Sequence, residues 1–297
     1  MNDTSYPTLE AAIADRFGAS VKILRSVPVG GGDINEARCL HLSDGSEVFL
    51  KSNSRSNAGF FAAEVQGLEA IAATGTIRTP PVLGRGVDGG TSFLLLEMVR
   101  SARPARTFWE DFGHRLAAMH SAPTAAFVPG GRYGFFADNY IGATPQVNEP
   151  RQSWVDFFRS CRLEPQVRRA SHWFSAGERK NIDRLLDRLE TRLPEPDHPS
   201  LLHGDLWSGN FLTGPDGDAW LIDPAAYVGH AEADLAMTEL FGGFSGAFYA
   251  AYQELCPLER GYRERRDLYN LYHLLNHLNL FGEGYLSGVL RTVERFA

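Results

Sequence analysis

The sequence is poor in sulphur-containing residues and has no long apolar run. It contains 3 Cys and 4 Met in 297 residues. Cys39, Cys161 and Cys256 lie far apart and in no metal-ligand spacing, which predicts reduced thiols and a cytoplasmic location rather than a disulfide framework. No apolar stretch approaches the roughly 20 residues that a membrane-spanning helix needs, so we expect no membrane partner.

The sequence also lacks an excess of positive charge. Lys and Arg total 29 against 36 Asp and Glu, which gives a formal net charge of -7. Proteins that bind the phosphate backbone of nucleic acids usually carry a basic stripe, so we expect no nucleic-acid partner. The first residues, MNDTSYPTLEAAI, show neither the basic region nor the apolar core of a signal peptide, and we expect none.

The first part of the chain has the pattern of a small sheet. Strands are predicted at VKILRSVPV, EARCLHL, SEVFLKS and TSFLLLEMV, which are rich in β-branched and aromatic residues. TLEAAIADRFG predicts a short first helix that ends at Gly18, and FFAAEVQGLEAIAATG has the apolar spacing of a longer one. We therefore predict that residues 1–99 form a nucleotide-binding lobe, an antiparallel sheet with one helix laid across it.

The rest of the chain has mainly helical patterns. Thr107 with Glu110, and Ser175 with Glu178, have the three-residue spacing of a capping box at a helix start. We predict that residues 100–297 form a larger, mostly helical lobe. The fold class expected from the two parts together is α+β with two lobes.

One polar stretch, LLHGDLWSGN, interrupts the helical part. His203, Asp205 and Asn210 fit H-x-D-x-x-x-x-N, the spacing of the catalytic loop of kinases, in which the Asp meets the attacking hydroxyl and the Asn holds Mg²⁺. The turn GPDG predicts a hairpin that returns Asp223 to Asn210, and an amide oxygen with a carboxylate suits Mg²⁺. The alternative is a core histidine with Asp205 capping a turn. We interpret His203 as a residue that orients the loop.

Two charged residues of the first part have the placement of a phosphate anchor. VFLK puts Lys51 at the end of a strand, and Glu64 lies on the following helix, where kinases place the carboxylate that fixes this lysine. Each residue taken alone is equally explained as a solvated surface charge. We expect them to act together on the phosphates of ATP.

Two further segments are candidates for nucleotide contacts. The loop PVGGGDIN supplies Gly30, Gly31 and Gly32, whose backbone N–H groups can approach phosphate oxygens without a Cβ clash. Glu97 and Met98 fall at the junction of the lobes, where backbone groups would meet adenine. A plain hairpin turn and a buried edge of the core are the respective alternatives.

Two protein-kinase motifs are missing. Asp223-Pro224-Ala225 replaces D-F-G, and no A-P-E follows, so no activation loop is predicted. The motifs that are present favour phosphoryl transfer to a small acceptor over transfer to a protein hydroxyl.

With these motifs the chain resembles the fructosamine kinase family, the ketosamine or ribulosamine 3-kinases, which have a protein-kinase-like fold. The signature LLHGDLWSGN carries the resemblance, and Trp-Ser-Gly within it distinguishes this family from aminoglycoside and choline kinases. The resemblance extends through GGGDINEA, DNYIG, TPQVNEPRQSWVDFF, IDPAAYVGHAEADLAM, FGGF and LLNHLNLFG. It covers nearly the whole chain in order.

The resemblance implies an activity and the roles of the main residues. It implies ATP-dependent phosphorylation of the 3-hydroxyl of a ketosamine, either a small molecule or an adduct on a protein, which begins deglycation. Asp205 would be the catalytic base, and Asn210 and Asp223 the Mg²⁺ ligands. Trp207 would form an apolar wall for the sugar, with packing of its own loop as the alternative.

The resemblance also suggests residues around this centre. The acceptor pocket would be lined by polar residues of one loop, Asn139, Gln146, Asn148 and Glu149, although a polar loop that stabilises itself explains them equally. The supports that hydrogen-bond the catalytic loop would be His203, His230, Glu232 and Asp234. Two other functions remain open: a kinase of the aminoglycoside or choline type, and a catalytically silent nucleotide-binding regulatory protein.

Overall fold

The computed structural model describes residues 5–30 and 35–297 of the protein, and their N-terminal part is built around a sheet. Its strands are β1 (Ser5–Tyr6), β2 (Ile23–Pro28), β3 (Glu36–Leu42), β4 (Glu47–Ser54), β5 (Val82–Asp88) and β6 (Thr91–Glu97). Over the described residues the sheet has six strands in the order β1-β5-β6-β4-β3-β2. All neighbours are antiparallel except β1 and β5, so the predicted antiparallel sheet gains a short parallel edge that the sequence pattern does not predict.

The two predicted helices of this part lie on opposite faces of the sheet. They are α1 (Leu9–Phe17), which ends at Gly18 as predicted, and α2 (Ala58–Ala73). Alternation along β4 sends Val48 and Leu50 to the face covered by α1, while Phe49 points to the face covered by α2. Lys51 follows Phe49 by two residues and therefore shares the α2 face.

After β6 the chain is mainly helical. The helices are α3 (Phe108–His120), α4 (Trp154–Phe157), α5 (Glu164–Arg169), α6 (Ala176–Asp187), α7 (Leu189–Arg192), α8 (Ala231–Leu240), α9 (Gly246–Leu255), α10 (Tyr262–Phe281) and α11 (Leu286–Phe296). A π-helical turn, Phe158–Leu163, joins α4 to α5. The sheet thus ends at Glu97 and the next helix begins at Phe108, while a division between residues 99 and 100 stays a prediction.

Short antiparallel strand pairs interrupt the helices. They are β7 (Asn139–Ile141) with β8 (Thr144–Gln146), β9 (Ser200–Leu202) with β12 (Tyr227–Gly229), and β10 (Phe211–Thr213) with β11 (Ala219–Leu221). The β10–β11 pair is the hairpin that GPDG predicts. Phe211 packs its ring against Phe108 and Phe112 of α3, which fixes the hairpin to the large core.

One of the two predicted capping boxes forms. Ser175 Oγ accepts from Glu178 N, and Glu178 Oε2 accepts from Ser175 N, at the start of α6. The capping-box prediction for Thr107 is wrong, because its backbone (φ -97, ψ 15) is not extended and its hydroxyl donates to Asp111 Oδ2 instead. Within the described ranges, no helix combines the length and apolar character needed to cross a bilayer. A cytoplasmic location stays a prediction.

Candidate active site

Lys51 joins the sheet to the β10–β11 hairpin. Its Nζ lies 2.7 Å from Glu64 Oε1 on α2 and also forms an ion pair with Asp223, which follows β11. The lysine is 8% exposed, so this cation is almost removed from solvent. A buried ammonium requires such partners, and here they come from two elements distant in sequence. The predicted pairing of Lys51 with Glu64 is therefore present.

The three charges shift one another's pKa values. Burial alone would lower the pKa of Lys51, but the carboxylates of Glu64 and Asp223 outweigh it and hold that pKa above its ordinary value. Burial raises the pKa of Glu64 to about 7, although Lys51 opposes the rise. Burial also works against ionisation of Asp223, yet Lys51 prevails and lowers the pKa of this carboxyl. Asp223 is therefore the carboxylate that stays fully charged at neutral pH.

The hairpin places Asp223 beside Asn210. Phe211 pairs with Leu221 across the two strands, and Ile222 N donates to Asn210 O at 3.1 Å. Asp223 is the next residue in the chain. The return of this carboxylate to the neighbourhood of Asn210, which the turn signal predicts, is therefore present in the fold.

Asp223 adopts a backbone conformation that most residues avoid. Its φ is 54°, and among the described residues it is the one non-glycine residue with a positive φ. Such a conformation costs on the order of 1 kcal/mol and persists where neighbours hold it. Here His203 Nε2 donates to Ile222 O on one side, and Ala225 N donates to His203 O on the other. Hydrogen bonds from the loop that contains Asp205 therefore fix the backbone on both sides of Asp223 and stabilise its strained conformation.

Asp205 and Asn210 contact each other directly. Asn210 Nδ2 donates to Asp205 O at 2.8 Å and to Asp205 Oδ2 at 3.0 Å. Burial raises the pKa of Asp205 to about 7, and the charges of Asp223 and Asp234 add to the rise while the bond from Asn210 opposes it. Asp205 is thus a carboxyl group that titrates near neutrality and is 22% exposed at its side chain.

His203 and Asp234 fix the catalytic loop through hydrogen bonds to its backbone. Asp234 of α8 accepts from the backbone N–H groups of His203 and Gly204, at 2.7 and 2.8 Å. The His203 ring accepts from Asp205 N at Nδ1, and burial lowers its pKa, so the ring is neutral. These contacts agree with the interpretation of His203 and Asp234 as supports of the catalytic loop.

His230 and Glu232 do not support the loop in the predicted way. His230 Nδ1 accepts from Glu232 N and so caps α8. Glu232 forms a two-point ion pair with Arg265 of α10, at 2.5 and 2.8 Å. The prediction that His230 and Glu232 support the catalytic loop is therefore corrected, because both side chains make their contacts at the start of α8. Of the residues predicted from this segment, only Asp234 contacts the loop with its side chain.

The residues predicted to line the acceptor pocket form a buried network instead. Asn139, Gln146 and Asn148, which we call the rear cluster, are at most 4% exposed. Asn139 Oδ1 accepts from both Gln146 Nε2 and Asn148 Nδ2. Asn139 Nδ2 donates to Ala226 O and Gln146 Nε2 to Ala225 O. No amide atom of the three is left for a substrate within the described structure, so their assignment to the pocket is corrected.

The rear cluster has a different effect on the site. Ala225 and Ala226, whose carbonyl groups it binds, follow Asp223 and Pro224 in the chain. The network therefore fixes the segment that leaves the strained aspartate. Arg162 and Tyr272 complete it, by donating to Asn148 Oδ1 and Gln146 Oε1.

Two more predicted acceptor residues are at the surface. Glu149 makes a two-point pair with Arg151, at 3.2 and 2.9 Å, and is exposed. Trp207 is 39% exposed, and its indole lies against the backbone of Gly209, where an added Cβ would fall 2.4 Å from the ring. Of the predicted acceptor residues, Trp207 alone combines exposure with a place inside the catalytic loop.

The predicted nucleotide contacts are only partly described. Gly30 is exposed beyond the end of β2, and Gly31 and Gly32 lie outside the described residues. Glu97 is exposed at the end of β6, where its N–H donates to Pro81 O, and Met98 is half-buried. Contacts of these residues with a nucleotide stay predictions.

His273 of α10 is a site residue that no sequence motif indicates. Its Nδ1 lies 4.0 Å from Asp205 Oδ1 and has no hydrogen-bond partner in the described part of the chain. The residue is 5% exposed, and burial lowers the pKa of its ring to about 3, so the ring is neutral. Helical spacing in YNLYHLLNHLNLF shows that His273 and His277 share a face, but only the fold brings that face to Asp205.

The donor atoms fit a hard divalent cation. Asn210 uses its amide nitrogen on Asp205, and its amide oxygen has no partner within the described ranges. Asp223 is ionised and its side chain is 41% exposed. A carboxylate and an amide oxygen with access to water are the ligand types that Mg²⁺ takes alongside phosphates.

Comparison with known proteins agrees with this geometry. A family model described as fructosamine kinase matches residues 5–297. A Synechocystis protein named "Probable ketoamine kinase" is 42% identical over 94% of this chain and 92% of its own length. The chloroplastic protein-ribulosamine 3-kinase of Oryza sativa subsp. indica is 38% identical over 94% of this chain and 80% of its own.

A solved structure is also similar over nearly the whole chain. It is a fructosamine-3-kinase candidate from Haemophilus somnus, 30% identical, with a TM-score of 0.85 over 97% of this chain and 96% of that chain. This likeness confirms the predicted protein-kinase-like fold.

Proposed function

The chain belongs to the fructosamine kinase family, and we propose that it transfers the γ-phosphoryl group of ATP to the 3-hydroxyl of a ketosamine. The observation that carries the proposal is the convergence of Lys51, Asp205 and Asp223, a group of residues that we call the cleft, in which the Lys51–Asp223 ion pair joins the sheet to the segment after β11. The names of the relatives, ketoamine kinase and protein-ribulosamine 3-kinase, support this class of acceptor.

Asp205 serves as the base in this proposal. Its Oδ2 is held by Asn210, which leaves Oδ1, on the side of His273, for the acceptor hydroxyl. The hydroxyl oxygen attacks the γ-phosphorus, the bond to the β,γ-bridging oxygen breaks, ADP leaves, and the hydroxyl proton passes to Asp205. A carboxyl group with a pKa of about 7 is half-ionised near neutrality, so it is both available and basic enough for this transfer.

The remaining groups position charge. Lys51, held by Glu64, would bind the α- and β-phosphates once a nucleotide competes for its contact with Asp223. Asn210 and Asp223 would hold Mg²⁺, which neutralises charge on the phosphates when bound. Fixed charges and positioning account for most of the rate in such reactions. Phosphorylation would turn the 3-oxygen into a leaving group: β-elimination would expel inorganic phosphate, and water would hydrolyse the resulting imine to a dicarbonyl sugar and the free amine, a deglycation.

The test is an ADP-release assay with a panel of acceptors. Ribulose-lysine and fructose-lysine should be turned over well above the rate without acceptor, and ³¹P–¹H correlation should place the phosphate on C3. An aminoglycoside and choline serve as matched acceptors for the rival kinase class. Turnover of these alone would contradict the proposal, and ATP binding without turnover of any acceptor would favour the silent nucleotide-binding protein.

A further inference from the structure

A group of side chains of the types that bind metal ions lies on the sheet, outside the site described above. Cys39 and His41 are two residues apart on β3 and so point to the same face, and β4 places Glu47 directly opposite His41. Cys39 Sγ, one ring nitrogen of His41 and one carboxylate oxygen of Glu47 lie within 4.8 Å of one another. The linear sequence conceals this group, because Glu47 joins it only through the strand register.

We propose that Cys39, His41 and Glu47 bind a Zn²⁺ ion. Zinc takes thiolate, imidazole and carboxylate ligands, and non-structural sites commonly use three protein ligands with water in the fourth position. At zinc–ligand distances of about 2.0–2.3 Å, neighbouring ligand atoms of a tetrahedron lie about 3.3–3.6 Å apart. His41 Nδ1 and Glu47 Oε1 are already 3.2 Å apart, so these two atoms need little movement to bind the ion, and Cys39 Sγ lies within 4.8 Å of a ligand atom of each residue.

The surroundings suit an open site at the surface of the sheet. Cys39 is 7% exposed, whereas the side chains of His41 and Glu47 are 39% and 20% exposed, so the ion reaches the thiol from the solvent side. Arg100 Nη2 binds Glu47 Oε2 at 2.7 Å and leaves Oε1 turned to His41. Such an outer partner orients a ligand carboxylate.

The charges determine how the ion binds. As the Sγ–Zn bond forms, the Cys39 S–H bond breaks and its proton passes to the solvent, so one proton is released. The new thiolate offsets part of the repulsion between the ion and Arg100. Hard ions such as Mg²⁺ avoid thiolates, which separates this site from the predicted magnesium site.

The position of the site predicts an effect on nucleotide binding, and this step depends on the proposed function. Glu47 and Lys51 lie four residues apart on the same face of β4, about 13 Å along the strand. Val48, next to Glu47, pairs with Glu97, so the zinc site lies beside the end of β6, where Glu97 and Met98 are predicted to meet adenine. Bound zinc should therefore raise the KM for ATP.

The direct test is a titration of the metal-free full chain with Co²⁺, a spectroscopic substitute for Zn²⁺. We expect one equivalent to produce an intense near-ultraviolet thiolate-to-metal band. Cys256→Ser, which removes the half-buried thiol, should keep the band, and Cys39→Ser should lose it. His41→Gln and Glu47→Gln should each weaken binding about tenfold or more while keeping the band at saturation. No band in the wild type, or a band that survives in Cys39→Ser, overturns the site.

The second test follows the KM for ATP in buffered free Zn²⁺, compared within each variant. We expect a several-fold rise in the wild type and in Cys256→Ser, and none in Cys39→Ser. A cobalt band without any change in this KM would overturn the effect on nucleotide binding. Absence of turnover with every acceptor would overturn the proposed function instead, and the cobalt titration would still decide the metal site.

Discussion

The polar residues at the cleft and the polar residues of the rear cluster differ in how much of their hydrogen-bonding capacity the protein itself uses. In Asn139, Gln146 and Asn148, every side-chain amide nitrogen and oxygen is hydrogen-bonded to another group of the protein. Asp205 and Asp223 are partly exposed; burial raises the pKa of Asp205, and the charge of Lys51 outweighs burial and lowers the pKa of Asp223. Both groups are polar, close together and near the same loop.

The difference separates two uses of buried polar groups. A saturated network contributes rigidity, and removing one member leaves its partners without hydrogen bonds. An unsaturated cluster costs stability in the free protein and keeps its capacity for a ligand. We therefore expect changes at the cleft to affect activity and changes in the rear cluster to affect stability.

The largest effect should follow from Asp205→Asn. The amide keeps the shape of the side chain and can still accept from Asn210, but it cannot take the proton of the acceptor hydroxyl. Loss of a positioned base typically costs two to four orders of magnitude, so kcat for ketosamine turnover should fall by about 100- to 10,000-fold. ATP binding, measured by thermal shift with Mg²⁺, should stay close to that of the wild type.

The same variant also tests the alternative that Asp205 only caps a turn. In that case the variant would lose folding and ATP binding together with activity. A fall in kcat with normal ATP binding and an unfolding midpoint no lower than that of the wild type contradicts that alternative.

The next largest effect should be on stability, from Asn139→Ala. This change leaves Gln146, Asn148 and the carbonyl of Ala226 without their shared partner, at a cost of about 2–3 kcal/mol in the free energy of unfolding. Well below the unfolding midpoint, the KM for the acceptor should change little. Urea unfolding and steady-state kinetics measure the two quantities.

Glu149→Ala is the matched control from the same loop. Glu149 is exposed and pairs only with Arg151 in the described structure, so its loss should change stability by less than about 0.5 kcal/mol. If Asn139→Ala instead raises the acceptor KM strongly at normal stability, the prediction is wrong and the rear cluster lines the acceptor pocket.

Much of the fold follows from local patterns in the sequence. β3, β4 and β6 alternate or are uniformly apolar, Gly18 ends α1, and GPDG specifies its hairpin. The short strand β1 is not predictable in this way, because two residues are too few to show the alternation of apolar and polar residues typical of a strand. Its partner β5 also lies about eighty positions away in the sequence. The Thr107 cap fails for a related reason, since spacing alone does not specify the backbone angles of the cap residue.

The site shows the same division. Lys51, Asp205, Asn210 and Asp223 follow from motifs whose spacing is local or set by one turn. His273 and the rear cluster depend on contacts between α10, the β7–β8 pair and the segment after Asp223. Residue type does not show whether an amide side chain is already fully hydrogen-bonded within the protein. The sequence therefore predicts Asn139 and Gln146 as pocket residues, whereas in the structure both are bound within the rear cluster.

A smaller effect concerns the pH dependence of stability. Burial raises the pKa of Asp205 from 3.8 to about 7, so the folded state binds this proton more tightly than the unfolded state. The contribution is fully favourable below about pH 4 and is lost as the pH rises towards 7. Asp205→Asn should therefore gain at least about 1 kcal/mol over the wild type between pH 4 and pH 8, since one pKa unit corresponds to about 1.4 kcal/mol.

Urea unfolding without nucleotide or metal, at both pH values, measures this difference. His203→Gln should show the opposite trend relative to the wild type, because burial lowers the pKa of this ring and the folded wild type gains stability as the pH rises past the pKa of a free histidine. A pH-independent difference between wild type and Asp205→Asn would show that the carboxyl group titrates normally, and would weaken the contrast between the cleft and the rear cluster.

The smallest predicted effect tests Trp207, which belongs to neither group because it is exposed and apolar. If its indole stacks on the sugar, Trp207→Ala should raise the acceptor KM by about 2- to 10-fold, equivalent to the 0.5–1.5 kcal/mol of a good ring contact, and leave the KM for ATP unchanged. Trp207→Phe should recover part of the loss. If the indole only packs its own loop over Gly209, the alanine variant should lose stability and kcat while the acceptor KM stays constant.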